Sequence, residues 1–149
     1  MENLFDPADR ARIEDRIRSL APGAAHQWGK MDLPQALRHL NITMEAATGD
    51  RPMKQKFLGK ILGPIFKGYF LGPKPFSHDA PTDGSFIVAD SREFARERDR
   101  LLVLVAKFAG AGPEGAARWQ HAFLGRLTGE EWGRAMWKHL DHHLRQFGG

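Results

Sequence analysis

The sequence contains no cysteine among its 149 residues. This absence excludes disulfide bonds, cysteine-ligated zinc, iron–sulfur clusters and cysteine nucleophiles. The chain also lacks an apolar run of about 18 residues, the length that a membrane-spanning helix needs, so we expect no membrane span. The first ten residues lack the basic stretch and apolar stretch of a secretory signal, and we therefore expect a cytoplasmic protein.

The chain has little excess charge of either sign. It carries 22 Lys and Arg against 18 Asp and Glu, which gives a net charge of +4. Such a balance is typical of a solubilising surface, and no nucleic-acid-binding motif is visible, so we expect no nucleic-acid partner. The length and the 42% hydrophobic content predict a single globular domain over residues 1–149.

Four stretches show helical patterns, and each begins at a residue suited to capping a helix. The first helix starts after Asp6, with Pro7 in its first position. The other three starts and their capping-box partners are Asp32 with Gln35, Asp90 or Ser91 with Glu93, and Thr128 with Glu131. The third helix is predicted to stop at Gly110–Pro113, and the fourth to run to about Phe147.

The connection between the second and third helices, residues 50–89, is long and rich in glycine and proline. Within it, Phe57–Phe66 fits a short amphipathic helix and Phe86–Val88 a brief extended segment. From Arg51 to Phe76 there are six Lys or Arg residues and no acidic residue. We interpret the segment as a lid packed on the other helices with its lysines in water. As an alternative, residues 51–71 act as an interaction module on an anionic membrane surface or an acidic partner.

This pattern predicts an all-α protein, a four-helix bundle with a long helix 2–helix 3 crossover. In such bundles, metal sites are built from side chains on facing helices. The histidines of the second and fourth helices are therefore the candidates for chemistry.

Two histidines of the fourth helix, His139 and His143, are four residues apart. That spacing places both imidazoles on one helix face, about one turn apart. They continue the apolar stripe of Trp132 and Met136, so we expect them to point inward. Burial favours the neutral imidazole that binds metal ions, although a buried histidine is also often satisfied by one hydrogen bond.

His39 in the second helix is the third candidate ligand. Its nearest neighbours on the helix surface are Ala36, Thr43 and Ala46, whose small side chains leave room for a cavity. Three histidine ligands would leave coordination positions open, the arrangement of a catalytic rather than a structural metal. Imidazole ligands suit zinc, nickel, iron and copper, so the ligand set does not select the ion.

The remaining histidines carry less weight. His142 lies three residues after His139 but on a more polar face, and we interpret it as a second-shell or surface residue. His26, His78 and His121 fall in predicted loops and are expected at the surface.

The order of these features resembles the DinB/YfiT-like superfamily. The resemblance rests on a helix-2 histidine, a long crossover and a last helix with the pattern His-x-x-His-His, supported by Trp28–Met31, Leu58–Pro64 and Leu127–Trp132. It implies a four-helix bundle with a divalent ion, most readily zinc or nickel and otherwise iron, held by His39, His139 and His143. It also implies a small-molecule substrate such as a low-molecular-weight thiol, and a homodimer.

Three functions compete at this point. The first is a metal-dependent transferase or hydrolase, in which the ion activates a water or a thiol. Glu45 is only a geometric possibility for its general base, because it lies about 120° around the helix from His39. The second is a metal-binding bundle without catalysis. The third is the interaction module of residues 51–71. A fourth interpretation is that the histidines are ordinary core residues without a function of their own.

Overall fold

The computed structural model describes residues 1–78 and 84–149 and is predominantly helical. Within these residues five α-helices follow one another: α1 (Pro7–Ser19), α2 (Leu33–Thr48), α3 (Phe57–Leu71), α4 (Phe94–Ala116) and α5 (Gly129–Gln146). A 3-10 turn (Gly84–Phe86) precedes α4. Two-residue strands, β1 (Gln120–His121) and β2 (Gly125–Arg126), form an antiparallel hairpin before α5. The expected all-α class is therefore confirmed.

Three of the four predicted helix starts are confirmed, because local side-chain hydrogen bonds determine them. Asp32 and Gln35 form a capping box at the start of α2, and Thr128 and Glu131 form one at the start of α5. The Asp6 side chain accepts hydrogen bonds from two backbone N–H groups in the first turn of α1. In each case the side chain satisfies N–H groups that have no partner inside the helix.

The predicted start of the third helix, with a capping box from Asp90 to Glu93, is wrong. The helix α4 begins at Phe94, and Glu93 occupies the N-cap position without a side-chain capping hydrogen bond. The Asp90 carbonyl instead accepts a hydrogen bond of 3.2 Å from the Gln35 side chain, and the Asp90 carboxylate pairs with Arg92 at 2.6 Å. These contacts hold the segment before α4 outside the helix.

The end of α4 differs in part from its prediction. Gly112 has a non-helical backbone (φ 67°, ψ 176°), which breaks the helix where the sequence predicts a stop. A further helical turn then continues to Ala116. A positive φ is easily adopted only by glycine, so Gly112 can provide this kink without steric strain.

The crossover also departs from its prediction. Its helix is longer than the expected Phe57–Phe66 and runs to Leu71. Phe86 ends the 3-10 turn, so the prediction of an extended segment over Phe86–Val88 is wrong at Phe86. The Lys56 side chain bonds to Ser85 just before Phe86 and connects the two ends of the crossover (2.8 Å). Residues 79–83 of the predicted crossover lie outside the described residues.

The hydrophobic core lies between α1, α2, α4 and α5. The helix α2 packs along α4, and α5 contacts α1, α2 and α4. The largest fully buried side chains come from all four helices: Ile13, Ile17, Leu37, Leu40, Met44, Leu101, Leu104, Phe108, Trp132, Leu140 and Leu144. This core places the inner faces of α2 and α5 beside each other.

The helix α3 packs on the hairpin through two glycines and through the rings of Phe66 and Phe70, which lie against Phe123. Gly59 and Gly63 are buried, and a Cβ atom at these positions would lie 2.4 Å and 2.8 Å from the backbone oxygen of Phe123. The opposite face, with Phe57 and Ile65, is exposed. The expected lid does pack on the other elements, but several of its large apolar side chains face outward, which was not predicted. Across the described ranges, no helix is long and apolar enough to cross a membrane.

Candidate metal centre

The structure brings the three predicted ligands together. His39 of α2 and His139 and His143 of α5 each offer a ring nitrogen, and these nitrogens all lie within 4.8 Å of one another. The Nε2 atoms of His39 and His139 are 3.0 Å apart. The ring centroids of the three pairs are 4.8–5.0 Å apart. Residues 100 positions apart in sequence thus form one cluster of nitrogen donors.

Local sequence explains why the cluster forms. The four-residue spacing places His139 and His143 on one face of α5, the face that continues from buried Trp132 and Met136. On α2, Ala36 and Ala46 flank His39, and both are buried. Small side chains beside an imidazole allow a facing helix to approach it closely.

Hydrogen bonds orient two of the three rings. The Nδ1–H of His39 donates to the backbone oxygen of Phe86 at 2.7 Å. The Nδ1–H of His143 donates to the Oε1 atom of Gln146 at 2.8 Å. With Nδ1 donating, the lone pair of each ring lies on Nε2, which in His39 is 3.0 Å from the Nε2 atom of His139. Metal-ligating histidines in proteins usually have this second hydrogen bond, which fixes the tautomer and the ring orientation.

Burial keeps these imidazoles neutral. Desolvation lowers the pKa of His39, although its bond to Phe86 acts in the opposite direction. The pKa of His139 lies well below its usual value, because burial and then the neighbouring His39 and His143 disfavour the charged form. Burial lowers the pKa of His143 to about 3. At neutral pH all three rings are therefore in the form that can bind a metal ion.

Gln146 supports the cluster and was missed by the sequence analysis. Its side chain accepts from His143, and its Nε2–H donates to the backbone oxygen of Trp28 at 2.6 Å. Its own carbonyl accepts from the backbone N–H of Gln27 at 2.8 Å. The last turn of α5 is thus bound to the loop between α1 and α2. The spacing of three residues between His143 and Gln146 could have predicted this contact, because it places the two side chains next to each other on a helix.

His142 lies beside the cluster but is not part of the group of nitrogens that could hold one ion. Its ring centroid is 5.0 Å from that of His143 and 5.6 Å from that of Trp28. It is buried, and burial lowers its pKa to about 4. We expected His142 either at the surface or beside the ligands. The surface position is wrong because His142 is buried, and a position beside the ligands is consistent with its distance from His143.

Of the three histidines that were expected in surface loops, two are exposed and one is not. His26 and His78 are exposed as expected, and His78 stacks on Trp28 with ring centroids 3.8 Å apart. His121 was also expected at the surface, and that prediction is wrong. Its Nδ1 accepts from the backbone N–H groups of Phe123 and Leu124, so it stabilises the hairpin turn. Burial lowers its pKa to about 4.

Glu45, the residue considered as a general base, lies elsewhere. Its carboxylate pairs with Arg38 at 3.1 Å and with Arg100 at 3.6 Å. It lines a cavity of about 340 Å³ together with arginines of α2, of α4 and of the segment before α4, and among the described residues no histidine lines this cavity. These ion pairs remove Glu45 from consideration as a base acting at the cluster.

Fold and site together define a mostly helical protein with a cluster of three histidines, of which His39 is buried and His139 and His143 are half-buried. Residues 4–148 match the family described as "Protein of unknown function (DUF1569)". Because the match covers nearly the whole chain, the protein belongs to this family. Comparisons with curated proteins and with solved structures give no match.

Proposed function

We propose that the protein is a divalent-metal-dependent enzyme, a thiol-dependent transferase or a hydrolase, whose ion is held by His39, His139 and His143. The observation that carries the proposal is the geometry of the donors. Three ring nitrogens lie within 4.8 Å of one another, and two of the three rings are oriented by their other nitrogen. Our proposal is zinc or nickel as the ion and iron as the next choice, all of them metals that imidazole ligands suit.

The donor set fits a catalytic site better than a structural one. Structural zinc sites usually have four protein ligands, whereas catalytic sites have three and leave positions for water or substrate. A divalent ion bound by these residues would supply Lewis acidity and make a water or a thiol a better nucleophile at neutral pH. The chain's own contribution is to keep the ligands neutral and to orient them through Phe86 and Gln146.

The second candidate is a bundle in which the ion has no catalytic role. It is supported by the position of the cluster, since an ion there would connect α2 to α5. Under this function the ion would contribute mainly to the free energy of unfolding, because a ligand that binds only the folded state stabilises it.

Further parts of the proposal rest on the resemblance to the DinB/YfiT-like superfamily. These are membership of that superfamily, the four-helix-bundle arrangement of α1, α2, α4 and α5, a low-molecular-weight thiol as substrate, and a homodimer. A cytoplasmic location is likewise a proposal. The mutual contacts of α1, α2, α4 and α5 are consistent with the bundle.

The first test is metal content, measured by elemental mass spectrometry. The samples are untagged wild-type protein purified without added metal, the triple variant His39→Ala, His139→Ala, His143→Ala, and the control His26→Ala. We expect about one ion per chain in the wild type and the control, because His26 is exposed and outside the cluster. We expect none in the triple variant, whose helix content is checked by circular dichroism.

The variant Gln146→Ala tests the orientation of His143. Loss of such a supporting hydrogen bond typically weakens metal binding by about 10- to 100-fold, and we expect that loss in zinc titrations. The exposed neighbour Arg145→Ala is its control. The proposal is overturned if the wild type contains no ion and takes up neither zinc nor nickel. An ion whose removal lowers stability but alters no thiol-transfer or hydrolysis reaction in a substrate screen would favour the second candidate.

A further inference from the structure

The helix α3 exposes a continuous apolar ridge. Its four most exposed apolar side chains are Phe57 (77% exposed), Ile65 (73%), Leu58 (60%) and Ile61 (54%). Phe57, Ile61 and Ile65 are spaced by four residues, so they line one face of the helix, and Leu58 lies beside them. Single exposed apolar residues are ordinary on protein surfaces, but a row of them on one helix marks an interaction surface.

The ridge cannot turn inward without a loss of contacts on the other side. Gly59 and Gly63 lie so close to the backbone oxygen of Phe123 that a side chain there would clash. Gln55 donates to the backbone oxygens of both Gly59 and Phe123, at 3.0 Å each. The outward orientation of the ridge is therefore part of the packed structure.

The helix is also held near its C-terminal end. Lys67 pairs with Glu131 of α5 at 2.7 Å. The ammonium group of Lys138 donates to the backbone oxygens of Tyr69 at 2.5 Å and Gly72 at 3.1 Å. Contacts near both ends of α3 thus fix the orientation of the ridge relative to the rest of the protein.

Basic residues accompany the ridge. The segment from Arg51 to Phe76 contains six Lys or Arg residues and no acidic residue. Among them Lys54, Lys60 and Lys74 are exposed, before, within and after α3. Lys60 comes three residues after Phe57 and one before Ile61, which places it at the edge of the ridge.

The apolar ridge and the lysines beside it together indicate which kind of partner covers the ridge. Two copies of the chain that met through this ridge would bring two basic segments together, with no acidic residue in either segment to neutralise them. The 15 residues of α3 are also too few to span a bilayer. An apolar face with lysines at its edge matches a helix that lies in the plane of an anionic lipid surface.

We propose that α3 is a membrane-docking helix, which inserts its apolar ridge at the interface of an anionic bilayer and places Lys54, Lys60 and Lys74 near the lipid phosphates. This proposal is independent of the metal site. It commits to lipid rather than to an acidic protein, because the ridge offers several large apolar side chains that the acyl-chain boundary would cover.

The absence of cysteine permits a direct test. Ile65→Cys in the full chain creates a single labelling site on the ridge, and an environment-sensitive fluorophore attached there reports insertion. Val103→Cys is the matched control, because Val103 is 58% exposed on α4, away from α3. The probes are vesicles of phosphatidylcholine alone and vesicles that contain phosphatidylglycerol.

We expect a blue shift of the Ile65 label with the phosphatidylglycerol vesicles and a much weaker one with phosphatidylcholine alone. The Val103 label stays unshifted. The pair Lys54→Gln, Lys60→Gln should weaken binding to anionic vesicles by about tenfold or more, since each lysine near the surface contributes to the attraction. High salt should have the same effect.

Three outcomes would overturn the proposal. The first is no shift of the Ile65 label with either vesicle. The second is equal shifts at Ile65 and Val103, which would indicate non-specific adsorption. The third is a shift of the Ile65 label without lipid that grows with protein concentration, together with a dimer in analytical ultracentrifugation. In that case the ridge is an interface between copies of this chain.

Discussion

The helices α3 and α5 differ in the direction that their main faces point: the apolar ridge of α3 faces outward, and the face of α5 with Trp132 and the histidines faces the other helices. Both approach a neighbour through glycine: Gly59 of α3 lies against the hairpin, and Gly133 of α5 lies against Asn3. The helix α5 is covered on several sides, so Trp132 is buried and His139 and His143 are half-buried. The helix α3 packs on the hairpin and the core near its C-terminal end, through Phe70 and Leu71, whereas Phe57, Ile61 and Ile65 face outward. An amphipathic pattern therefore identifies which residues share a face, whereas the surrounding elements decide where that face points.

The largest expected contrast is in stability. Trp132→Ala removes a side chain that is only 1% exposed and whose Nε1–H donates to the Trp119 carbonyl, so we expect a loss of about 3–5 kcal/mol in the free energy of unfolding. Ile65→Ala on the exposed ridge should change it by less than about 0.5 kcal/mol. Chemical denaturation measures both. A loss above about 2 kcal/mol for Ile65→Ala would show that the ridge is packed against protein.

The glycine contact of α3 can be tested within one helix. Gly59→Val would place atoms against the Phe123 carbonyl, and overpacking of this kind costs about 1–3 kcal/mol. Gly68→Ala is the control, because a Cβ there meets nothing within 4 Å and alanine has the better helix propensity.

Amide hydrogen exchange should show that Gly59→Val lowers the protection of amides only in α3. Metal uptake should be unchanged. Unchanged protection of α3 in Gly59→Val would contradict the conclusion that the contact of Gly59 with Phe123 holds α3 in place. Reduced metal uptake would show that α3 also positions the histidine cluster.

The effect that is smallest over a single pH unit is the dependence of stability on pH that comes from His121. Burial lowers the pKa of His121 from an ordinary 6.5 to about 4. A lowered folded-state pKa means that the stability is fully present above pH 6.5 and is lost as the pH falls toward 4. One such histidine contributes a slope of about 1.4 kcal/mol per pH unit in that window.

His121→Asn keeps a side-chain acceptor but does not titrate. We therefore expect it to reduce the slope of stability between pH 6.5 and 4 by about that amount, measured by urea denaturation with a chelator present. The exposed His26→Asn should leave the slope unchanged. Equal slopes in the wild type and in His121→Asn would mean that His121 is not buried in its neutral form.

The sequence predicted those features that depend on near neighbours in the chain. The capping boxes at Asp32 and Thr128 and the inward face of His139 and His143 follow from spacings of three and four residues. The start of α4 could not be predicted this way, because the contact that holds Asp90 outside the helix comes from Gln35, which is 55 residues away.

The hairpin and the direction of α3 were missed for a related reason. Strands of two residues leave no alternating pattern to detect. The periodicity of Phe57, Ile61 and Ile65 was visible, but the glycines at 59 and 63 on the opposite face were the signal for its direction. Glycines on one face of an otherwise bulky helix indicate that this face makes the close contact.

The separation of 100 residues between His39 and His139 has a consequence for how the cluster is assembled. Long-range contacts form only after the intervening chain has ordered, since closing a long loop is entropically unfavourable. During synthesis, a chain that has not yet produced α5 offers one histidine of the three, and a single imidazole is a weak ligand. Under the proposed function, capture of an ion would thus be a late event in folding, and metal content would report on chains that have assembled the cluster.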